Sequence, residues 1–593
     1  MSHSSVQPVQ VKGLLIDRQR PRHRLFSRVQ PVELVLFGIL LAFFVWLVFP
    51  PVASLVVKAF TDGDTNELTF DHFVTILPTL VHAGVISNTL IFAVSASVIS
   101  FAYGSVLAWL AERTNAPFRR LVYVSAFLSF ALPTVIQVLG WVFLLGRRQG
   151  FINSILVTQL GILSEPLDVQ SMGGMIFVEA ILWTAVVFLL MVVPFRSMDA
   201  SLEEAGRVAR GTSAEVFLRI TLRLAMPAGF AVFFISLVRN LESFEVPAIL
   251  GLPGGVNVLA TQIFVRLHAT VLPNYGQVSA YSILLVLIVL PLLYAYHRAT
   301  KGQGHYATIT GKGLRTARLD LGRYRWAAGI FMLTLPLVIL LPLFMLVWVS
   351  LMPFYRIPSW EALGSASLNN YYALVDSGSR VLDSLAATAL VAGGSATILV
   401  FATAAACWLV IRTRVPGRSA LEFVSVIPLA IPSIVLGAGV LWAYVGLPVP
   451  IYGTAAILVL AYMARSLPFT MRSNFSGVLS ISKELEESAF VAGANHRELF
   501  QRVLIPLLLP ALLTGWQYAF LQTARELPIA LLLQSEGNQM ISVRIWNLWE
   551  VGQVTNAAAL SVVVAILLGI LGFVLEGLSR RYGIVAAEAS GRR

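Results

Sequence analysis

Long apolar stretches separated by short polar segments make up most of this chain. About 20 consecutive apolar residues are enough to cross the hydrocarbon core of a bilayer as a helix, so the pattern predicts twelve membrane-spanning helices. Charges interrupt the fifth span of each group of six. The predicted spans cover 34–57, 86–111, 121–146, 174–195, 224–250, 278–298, 326–352, 385–411, 420–446, 450–472, 505–533 and 557–578.

Composition agrees with an all-α polytopic membrane protein. The chain is 57% hydrophobic and only 12% charged, with a mean hydropathy of +0.80 over 593 residues. A soluble globular protein carries about 25% charged residues, so a soluble enzyme with a single anchor is excluded. The single cysteine, Cys407, lies in an apolar run and excludes an internal disulfide framework and thiolate metal clusters.

The formal charge of +12 follows the topology of a membrane protein and does not indicate nucleic-acid binding. Basic residues gather in the two tails and in the stretch between the sixth and seventh spans, and an even number of spans puts these three regions on one side. That side is predicted to be cytoplasmic, because Lys and Arg are enriched in cytoplasmic loops. The predicted units are a basic tail over 1–33, six spans over 34–300, a basic linker over 301–325, six spans over 326–580 and a tail over 581–593.

The two groups of six spans form a tandem repeat. Residues 109–114 (Trp-Leu-Ala-Glu-Arg-Thr) recur as 408–413 (Trp-Leu-Val-Ile-Arg-Thr), an offset of 299 (408 minus 109). Chance similarity between apolar segments does not explain shared polar residues and prolines in register. The two halves are therefore predicted to be parallel copies related by an axis along the membrane normal. The offset of 299 also relates Pro117 to Pro416, Arg119 to Arg418 and Pro133 to Pro432.

A charged segment between the fourth and fifth spans occurs in both halves, over 203–211 and 486–494. Glu204 precedes Pro227 by 23 residues, and Glu487 precedes Pro510 by 23 residues. Two charged helix–turn–helix segments of equal length are typical of docking elements for a soluble partner. Glutamates that only cap a solvated helix are the simpler interpretation for any one charge, but capping does not require two copies at matched length.

These segments resemble the EAA loop of permease subunits in ATP-binding-cassette (ABC) importers. The second copy fits the loop well, with Glu-Ser-Ala at 487–489, Gly493, and Val-Leu-Ile-Pro at 503–506. The first copy departs from it, because Arg210 occupies the expected glycine position and Gly211 follows one place later. The fused arrangement of two halves is similar to the ferric-iron type of binding-protein-dependent permease, with thiamine and phosphonate importers as relatives.

The resemblance implies a type I ABC importer permease of the bacterial inner membrane, with both termini cytoplasmic. It implies two copies of a cytoplasmic ABC ATPase and a separate substrate-binding protein as partners, besides the lipid bilayer. It also implies ferric iron as the best guess for the cargo, with thiamine, phosphonates, sugar phosphates and polyamines as alternatives. The residues that the resemblance assigns to ATPase coupling are Glu203, Glu204, Ala205, Gly211, Glu486, Glu487, Ala489, Gly493 and Ala494.

The sequence contains no catalytic chemistry of its own. Residues 311–313 (Gly-Lys-Gly) lack both the preceding glycine and the hydroxyl residue of a phosphate-binding loop. The eight histidines show no metal-ligand spacing. No cofactor and no resident metal are expected in this chain, and the ATP and Mg²⁺ of the complex would be bound by the partner ATPase.

Charges inside the fifth spans are the predicted lining of the translocation pathway. Arg239, Glu242 and Glu245 are three residues apart, which places them on one face of a helix. Arg525 and Glu526 occupy the matching stretch of the second half. A charge at bilayer depth costs about 2.5–3.5 kcal/mol, so such residues face a cavity or a partner. An ion pair that only joins neighbouring spans is the alternative.

Two other classes of protein remain open at this point. A twelve-span secondary transporter would share the parallel halves and would use buried carboxylates to couple transport to protons, but it would not need two docking segments. A membrane enzyme would need converging His, Asp or Glu side chains, which the sequence does not show. The pathway charges include both signs and do not decide between a cationic and an anionic cargo.

Overall fold

The computed structural model describes the chain from the start of the first span almost to the C-terminus. The described residues are 31–62, 65, 67–198, 200–209, 213–268, 274–300, 318–376, 380–446, 451–495, 498–535 and 537–591. Most of the tail over 1–33 and most of the linker over 301–325 therefore lie outside the described residues, as does Gly211.

The described part of the chain is built from helices. The first half contains α1 (Pro31–Phe60), α2 (Asp71–His82), α3 (Val85–Arg113), α4 (Arg119–Ala131), α5 (Thr134–Leu145), α6 (Met172–Ser197), α7 (Ala200–Val208), α8 (Leu222–Leu241), α9 (Leu259–His268) and α10 (Tyr275–Thr300).

The second half repeats this order of helices. It contains α11 (Arg325–Ser350), α12 (Asn369–Val375), α13 (Val381–Arg412), α14 (Ser419–Val426), α15 (Ser433–Val445), α16 (Ala455–Ser480), α17 (Lys483–Val491), α18 (Ile505–Arg525), α19 (Pro528–Leu533), α20 (Ile541–Glu550) and α21 (Val554–Gly591). Shorter helical turns connect several of them, at Phe151–Asn153, Ser154–Gln159, Ser213–Val216, Phe217–Thr221, Pro247–Gly251, Gly322–Tyr324, Trp360–Leu363, Ile427–Ala430 and Leu499–Leu504.

The helices confirm an all-α polytopic membrane protein in two tandem halves. Among the described residues, nine helices are long and apolar enough to cross a membrane, and two bent helix pairs bring the number to eleven. The 26-residue helix α16 takes the position of the twelfth span. Two arginines (Arg465 and Arg472) and Pro468 make α16 less apolar than α6, its counterpart in the first half.

The third span of each half, predicted as one span over 121–146 and over 420–446, consists of two helices with a sharp bend between them. The helix path bends by 110° between α4 and α5, and by 112° between Ser419–Ala430 and α15 in the second half. Pro133 and Pro432 stand at the two breaks, and each precedes the first residue of the next helix. Proline lacks a backbone N–H and forces the residue before it out of the helical conformation, so the helix cannot continue through these positions.

The fifth spans are shorter than predicted, since they stop where the charges begin. Helix α8 ends at Leu241 and α18 ends at Arg525, instead of continuing to 250 and 533. A short helical turn at Pro247–Gly251 and helix α19 follow the two breaks. Irregular backbone at membrane depth is tolerated only where protein or a cavity satisfies its polar groups, so the breaks mark the interior of the molecule.

The repeat is reproduced in individual contacts. Helices α6 and α16 both have 26 residues and are offset by 283 (455 minus 172). The hydroxyl of Thr89 in α3 accepts a hydrogen bond from the backbone N–H of Leu259 at 2.9 Å. Its counterpart Thr388 in α13 accepts from the N–H of Ile541 at 2.9 Å. The two halves therefore share one architecture, and equivalent residues in the two cores make equivalent hydrogen bonds.

The two halves wrap around each other through their first spans. Helix α1 of the first half packs against the bent helix α15 of the second half, and α11 packs against α5. The Ser54 hydroxyl donates to the Gly439 carbonyl oxygen at 2.9 Å, and the Tyr444 hydroxyl donates to the Trp46 carbonyl oxygen at 2.8 Å. Each half thus carries one helix that belongs to the outer surface of the other.

Glycines allow these two crossings. A Cβ atom at Gly439 would lie 2.6 Å from the carbonyl oxygen of Pro51, and one at Gly140 would lie 2.6 Å from the carbonyl oxygen of Pro342. Gly140 and Gly439 are related by the repeat offset of 299 (439 minus 140). Because small residues let helix backbones approach closely in membranes, both crossings depend on the absence of a side chain.

Replacing Gly439 by alanine is therefore expected to destabilise the protein. Overpacking of a tight contact costs about 1–3 kcal/mol, which should lower the thermal unfolding midpoint of the detergent-purified protein. The matched control is Gly393→Ala in α13, where a Cβ would meet no atom within 4 Å. Alanine favours a helix over glycine by up to about 1 kcal/mol, so this control should leave the midpoint unchanged or raise it. Equal midpoints for both variants would contradict the close crossing.

Candidate functional site

A cavity of about 540 Å³ lies between the two halves. Its wall combines the bent span, α6 and α8 of the first half with α15, α16 and α18 of the second half. All five charged residues that the sequence placed on the pathway line this cavity: Arg239, Glu242, Glu245, Arg525 and Glu526.

The broken fifth spans bring these charges together. Arg239 lies in the last turn of α8, and Glu242 follows at the end of the helix, so that Arg239 Nη1 donates to Glu242 Oε2 at 3.1 Å. Both side chains are largely buried. The charges lie at the ends of the helices, where the backbone can turn toward the cavity, and not along a continuous span.

An ion pair joins the two halves across the cavity. Nη2 of Arg465 in α16 donates to Glu242 Oε2 at 2.7 Å, and both side chains are 4% exposed. Arg465 Nη1 also donates to the carbonyl oxygen of Ile431 at the bend of the third span, at 3.0 Å. A single carboxylate is thus held by Arg239 from its own half and by Arg465 from the other half. Loss of Glu242 would leave two buried arginines without their shared counter-ion, whereas loss of either arginine would leave one balanced ion pair.

Hydroxyl groups hold two further carboxylates of the cavity. The hydroxyl of Tyr462 donates to Glu526 Oε2 at 2.8 Å, and the hydroxyl of Ser243 donates to Glu179 Oε2 at 2.9 Å. Glu179 and Tyr462 are equivalent positions of α6 and α16 under the offset of 283 (462 minus 179). The second half therefore places a phenol where the first half places a carboxylate, and the cavity wall is not symmetric.

Aromatic rings and carbonyl groups surround the remaining cations. The guanidinium carbon of Arg525 lies 4.6 Å from the centre of the Phe130 ring, and its nitrogens donate to the Phe130 carbonyl oxygen and to Gln522 Oε1. Arg239 lies 5.5 Å from the centre of the Phe469 ring. Glu245 has no cationic nitrogen within 4.0 Å among the described residues. Among the described residues, the cavity thus combines the ion-paired Glu242 with carboxylates that make no direct ion pair.

Two charged residues of the cavity were missed at the sequence level. Glu179 and Arg465 lie inside the spans predicted over 174–195 and 450–472, and both line the cavity. The signal was present, because an ionisable residue inside an apolar span indicates a functional position. Among the described residues, the structure contains no group of three or more His, Cys, Asp or Glu side chains that could hold a metal ion.

The charged segments outside the cavity form short helices, and in each adjacent pair of glutamates the first is buried and the second is more exposed. Glu203 in α7 pairs with Arg113 at 2.6 Å, and Glu486 in α17 pairs with Arg412 at 2.7 Å. Glu204 is exposed. Glu487 is half-buried, with its carboxylate 3.1 Å from Lys483. Of each adjacent pair of glutamates, only the second therefore faces outward.

The small residues of these segments surround the turns. Ala205 is exposed and Ala489 is half-buried. Gly493 has φ +90°, a conformation that favours glycine, and Ala494 donates its N–H to the carbonyl oxygen of Ala489 at 3.0 Å. This closes the second segment as the sequence expected. The corresponding turn of the first segment includes Gly211 and lies outside the described residues.

The first turn of α17 also carries an exposed acidic group. The backbone N–H of Glu484 and the hydroxyl of Ser482 donate to the Glu484 carboxylate, and these hydrogen bonds hold its pKa below its ordinary value. A negative charge in the first turn complements the helix dipole. The start of α17 thus presents a fixed anionic surface to solvent.

Comparison with known proteins identifies the family. The family described as "Binding-protein-dependent transport system inner membrane component" matches residues 104–301 and 398–582, about two thirds of the 593 residues. The chain belongs to this permease family. Each half contributes one matched segment, so the permease is a fusion of two family units, and both units contain a bent third span and a charged segment.

Relatives of the permease include transport proteins for ferric iron. It is 25% identical over 541 residues to the ferric transport system permease protein FbpB of Actinobacillus pleuropneumoniae, covering 91% of this chain and 77% of the relative. It is 25% identical over 489 residues to the putative ferric transport system permease protein FbpB 1 of Haemophilus influenzae, covering 82% and 75%. A bacterial ABC transporter for import of the acidic polysaccharide alginate aligns with 45% of this chain and 96% of its own, at 22% identity and a TM-score of 0.40.

Replacing Arg465 by alanine is expected to destabilise the permease by about 1.5–3 kcal/mol, because it removes the charged hydrogen bond to Glu242 that joins the two halves, while Arg239 still neutralises that carboxylate. The double variant E242Q/R465M removes both charges and should lose less than the sum of its single variants. Thermal unfolding in detergent measures both effects. The control is Arg472→Ala on the same helix, where the side chain is exposed. Additive losses in the double variant would show that the pair does not couple the halves.

Proposed function

We propose that this permease moves ferric iron through the cavity between its halves, after delivery by a substrate-binding protein. The permease class is given by the family, whereas the cargo is inferred from the two relatives described as ferric transport permeases. The observation that carries the proposal is the convergence of seven charged residues on one cavity between two family units. They are Glu179, Arg239, Glu242, Glu245, Arg465, Arg525 and Glu526.

The cavity is suited to pass an ion and not to retain one. A resident metal site would need several ligands aimed at one point, and the described residues offer no such group. The carboxylates are instead distributed around the wall of the cavity, and Glu242 already forms ion pairs with two arginines. A pathway needs binding that is weak enough for release, so this distribution supports transit of an ion with its accompanying groups.

Two copies of a separate ABC ATPase would drive transport by docking on α7 and α17. The outward-facing Glu204 and Glu487, together with the exposed first turn of α17, supply the polar surface for that contact. ATP and Mg²⁺ would be bound by the ATPase. Closure of the two ATPase subunits would draw the two charged segments together, and the two halves would then rock between inward-open and outward-open states.

The distribution of charge supports one orientation of the permease. Lys and Arg are concentrated in the N-terminal tail, the linker and the C-terminal tail, and the enrichment of basic residues in cytoplasmic loops supports a cytoplasmic location for these regions and for both charged segments. The opposite face would receive the binding protein. This arrangement requires that both termini lie on the side of the ATPase.

Native purification of the tagged permease with mass spectrometry of the co-eluting proteins tests the proposal. We expect about two ATPase subunits per permease, since each half presents one docking segment, and a binding protein whose ligand can then be assayed. A binding protein loaded with a phosphonate, thiamine or a polyamine would overturn ferric iron as the cargo. A permease that purifies alone and moves substrate with a proton gradient would overturn the importer mechanism.

Replacing Glu487 by lysine is expected to abolish uptake of radiolabelled ferric iron by cells. The change reverses a charge on the proposed docking surface without disturbing the buried Glu486–Arg412 pair, so membrane insertion and thermal stability should be unchanged. The control is Glu361→Lys, the same change at an exposed position between α11 and α13, on the opposite side of the membrane. Uptake at the wild-type rate by the Glu487 variant would contradict the docking assignment.

A further inference from the structure

Two equivalent arginines lie at the cytoplasmic ends of the second spans. Arg113 is the last residue of α3 and Arg412 is the last residue of α13. Both belong to the repeated Trp-Leu-x-x-Arg-Thr motif that first revealed the duplication. Both side chains are directed at the junction between the fourth span and the charged segment of their own half.

In the first half, Arg113 connects both sides of this junction. Its Nη1 donates to the carbonyl oxygen of Met198 at 3.2 Å, and its Nη2 lies 2.6 Å from Glu203 Oε2. Met198 directly follows α6 and has an extended backbone conformation, with ψ 134°. The other oxygen of Glu203 accepts a hydrogen bond from the Thr221 hydroxyl at 2.7 Å. The arginine side chain is 2% exposed, so the connection is shielded from water.

In the second half, Arg412 makes the same connection. Its Nη2 donates to the carbonyl oxygen of Ile481 and to that of Val478 at 3.0 Å, and its Nε lies 2.7 Å from Glu486 Oε1. Ile481 directly follows α16 and has an extended backbone conformation, with ψ 128°. The arginine and glutamate side chains are 12% and 8% exposed.

The two connections correspond residue by residue. Met198 corresponds to Ile481 and Glu203 to Glu486 under the offset of 283 (481 minus 198, 486 minus 203), and Arg113 corresponds to Arg412 under the offset of 299. In each half the arginine bridges an extended residue and a glutamate five positions later. A bridge of this kind fixes the angle between two helices that are joined by only two residues.

We propose that Arg113 and Arg412 are positioning residues that lock the hinge between the fourth span and the ATPase-docking helix of each half. The proposal rests on the docking role given to α7 and α17 under Proposed function. Without the arginine, the two-residue junction would let the docking helix swing on its own. With it, the docking helix, the end of the second span and the end of the fourth span move as one body.

The locked fourth spans lead directly to the cavity. Helix α6 carries Glu179 and α16 carries Arg465, which pairs across the cavity with Glu242. Arg465 and Ile481 are 16 residues apart (481 minus 465), which corresponds to about 24 Å of helix at 1.5 Å per residue. A displacement of α17 is thereby carried along α16 to the contact that joins the halves.

Spin-label distance measurement on the purified chain tests the hinge directly. Ser476 in α16 and Ser488 in α17 are exposed, and replacing both by cysteine in a Cys407→Ala background provides two labels across the hinge. We expect a narrow distance distribution in the parent protein and a broad one after Arg412→Ala. Arg412→Lys should restore a narrow distribution, because the ammonium group can still donate to the Ile481 carbonyl and pair with Glu486. The control is Arg414→Ala, an exposed arginine two residues further along.

Transport per ATP hydrolysed is the functional readout. In proteoliposomes with the ATPase and the loaded binding protein, Arg412→Ala should still assemble and hydrolyse ATP. We expect its transport per ATP to fall about tenfold, as for other changes in coupling between distant sites. Arg412→Lys should recover most of that ratio, and Arg414→Ala should match the parent. A variant that only unfolded would lose assembly and hydrolysis together, which would assign Arg412 a purely structural role and overturn the proposal.

The two measurements separate this inference from the proposed function. A narrow distance distribution in Arg412→Ala, or an unchanged transport per ATP, would overturn the hinge lock. The distance measurement needs no ATPase, so it decides the lock even if the permease proves to bind none. Failure of the parent protein to associate with an ATPase would instead overturn the docking role on which the functional readout depends.

Discussion

The cost of a charge in the hydrocarbon core is the constraint on which the rest of this structure depends. Glu242 lies at membrane depth and can remain there only with partners, which it finds in Arg239 of its own half and Arg465 of the other. Loss of a partner from such a buried cluster is far more costly than loss of a surface ion pair. The contact therefore fixes how the two halves meet, and the cavity lies where they meet.

The same constraint explains where the helices break. The fifth spans stop at Leu241 and Arg525, and the third spans bend at Pro133 and Pro432. Each break leaves backbone groups that lipid cannot satisfy, and each is turned toward the interior, where side chains such as Arg465 and Arg525 donate to the freed carbonyl oxygens. The broken spans and the buried charges of the cavity thus occur together, where the two halves meet.

Much of this arrangement could be predicted from the sequence because the duplication supplies an internal comparison. The repeat predicted two parallel halves of six spans each, and all five charges assigned to the pathway line the cavity. The sharp bends at Pro133 and Pro432 were not predicted, because prolines also lie inside continuous helices such as α1 and α6. Arg465 and Glu179 were not predicted as cavity residues. Each is a charged residue within a stretch that is otherwise apolar enough to be read as an ordinary span.

The adjacent glutamates show a further limit of sequence reasoning. Successive residues of a helix point about 100° apart, so Glu203 and Glu204 cannot both face a docking partner. Which one turns inward depends on Arg113, 90 residues earlier in the chain (203 minus 113). The signal was present in the repeated Trp-Leu-x-x-Arg-Thr motif, but its meaning required knowing that the ends of the second and fourth spans are neighbours.

The permease thus combines two matching arginine–glutamate connections with an asymmetric cavity. Both halves present an arginine, an extended residue and a glutamate in the same geometry. The contact between Arg465 and Glu242 has no counterpart elsewhere in the repeat. The offset of 283 relates Arg465 to Leu182 in the first half. The offset of 281, which relates Glu245 to Glu526, relates Glu242 to Thr523 in the second half. The Arg465–Glu242 ion pair therefore joins the halves at one place in the cavity, whereas exact symmetry would give two such pairs. The two halves have separate sequences in one chain, so each can carry its own lining residues, while the matching connections at α7 and α17 would transmit equal displacements if an ATPase docks on both as proposed.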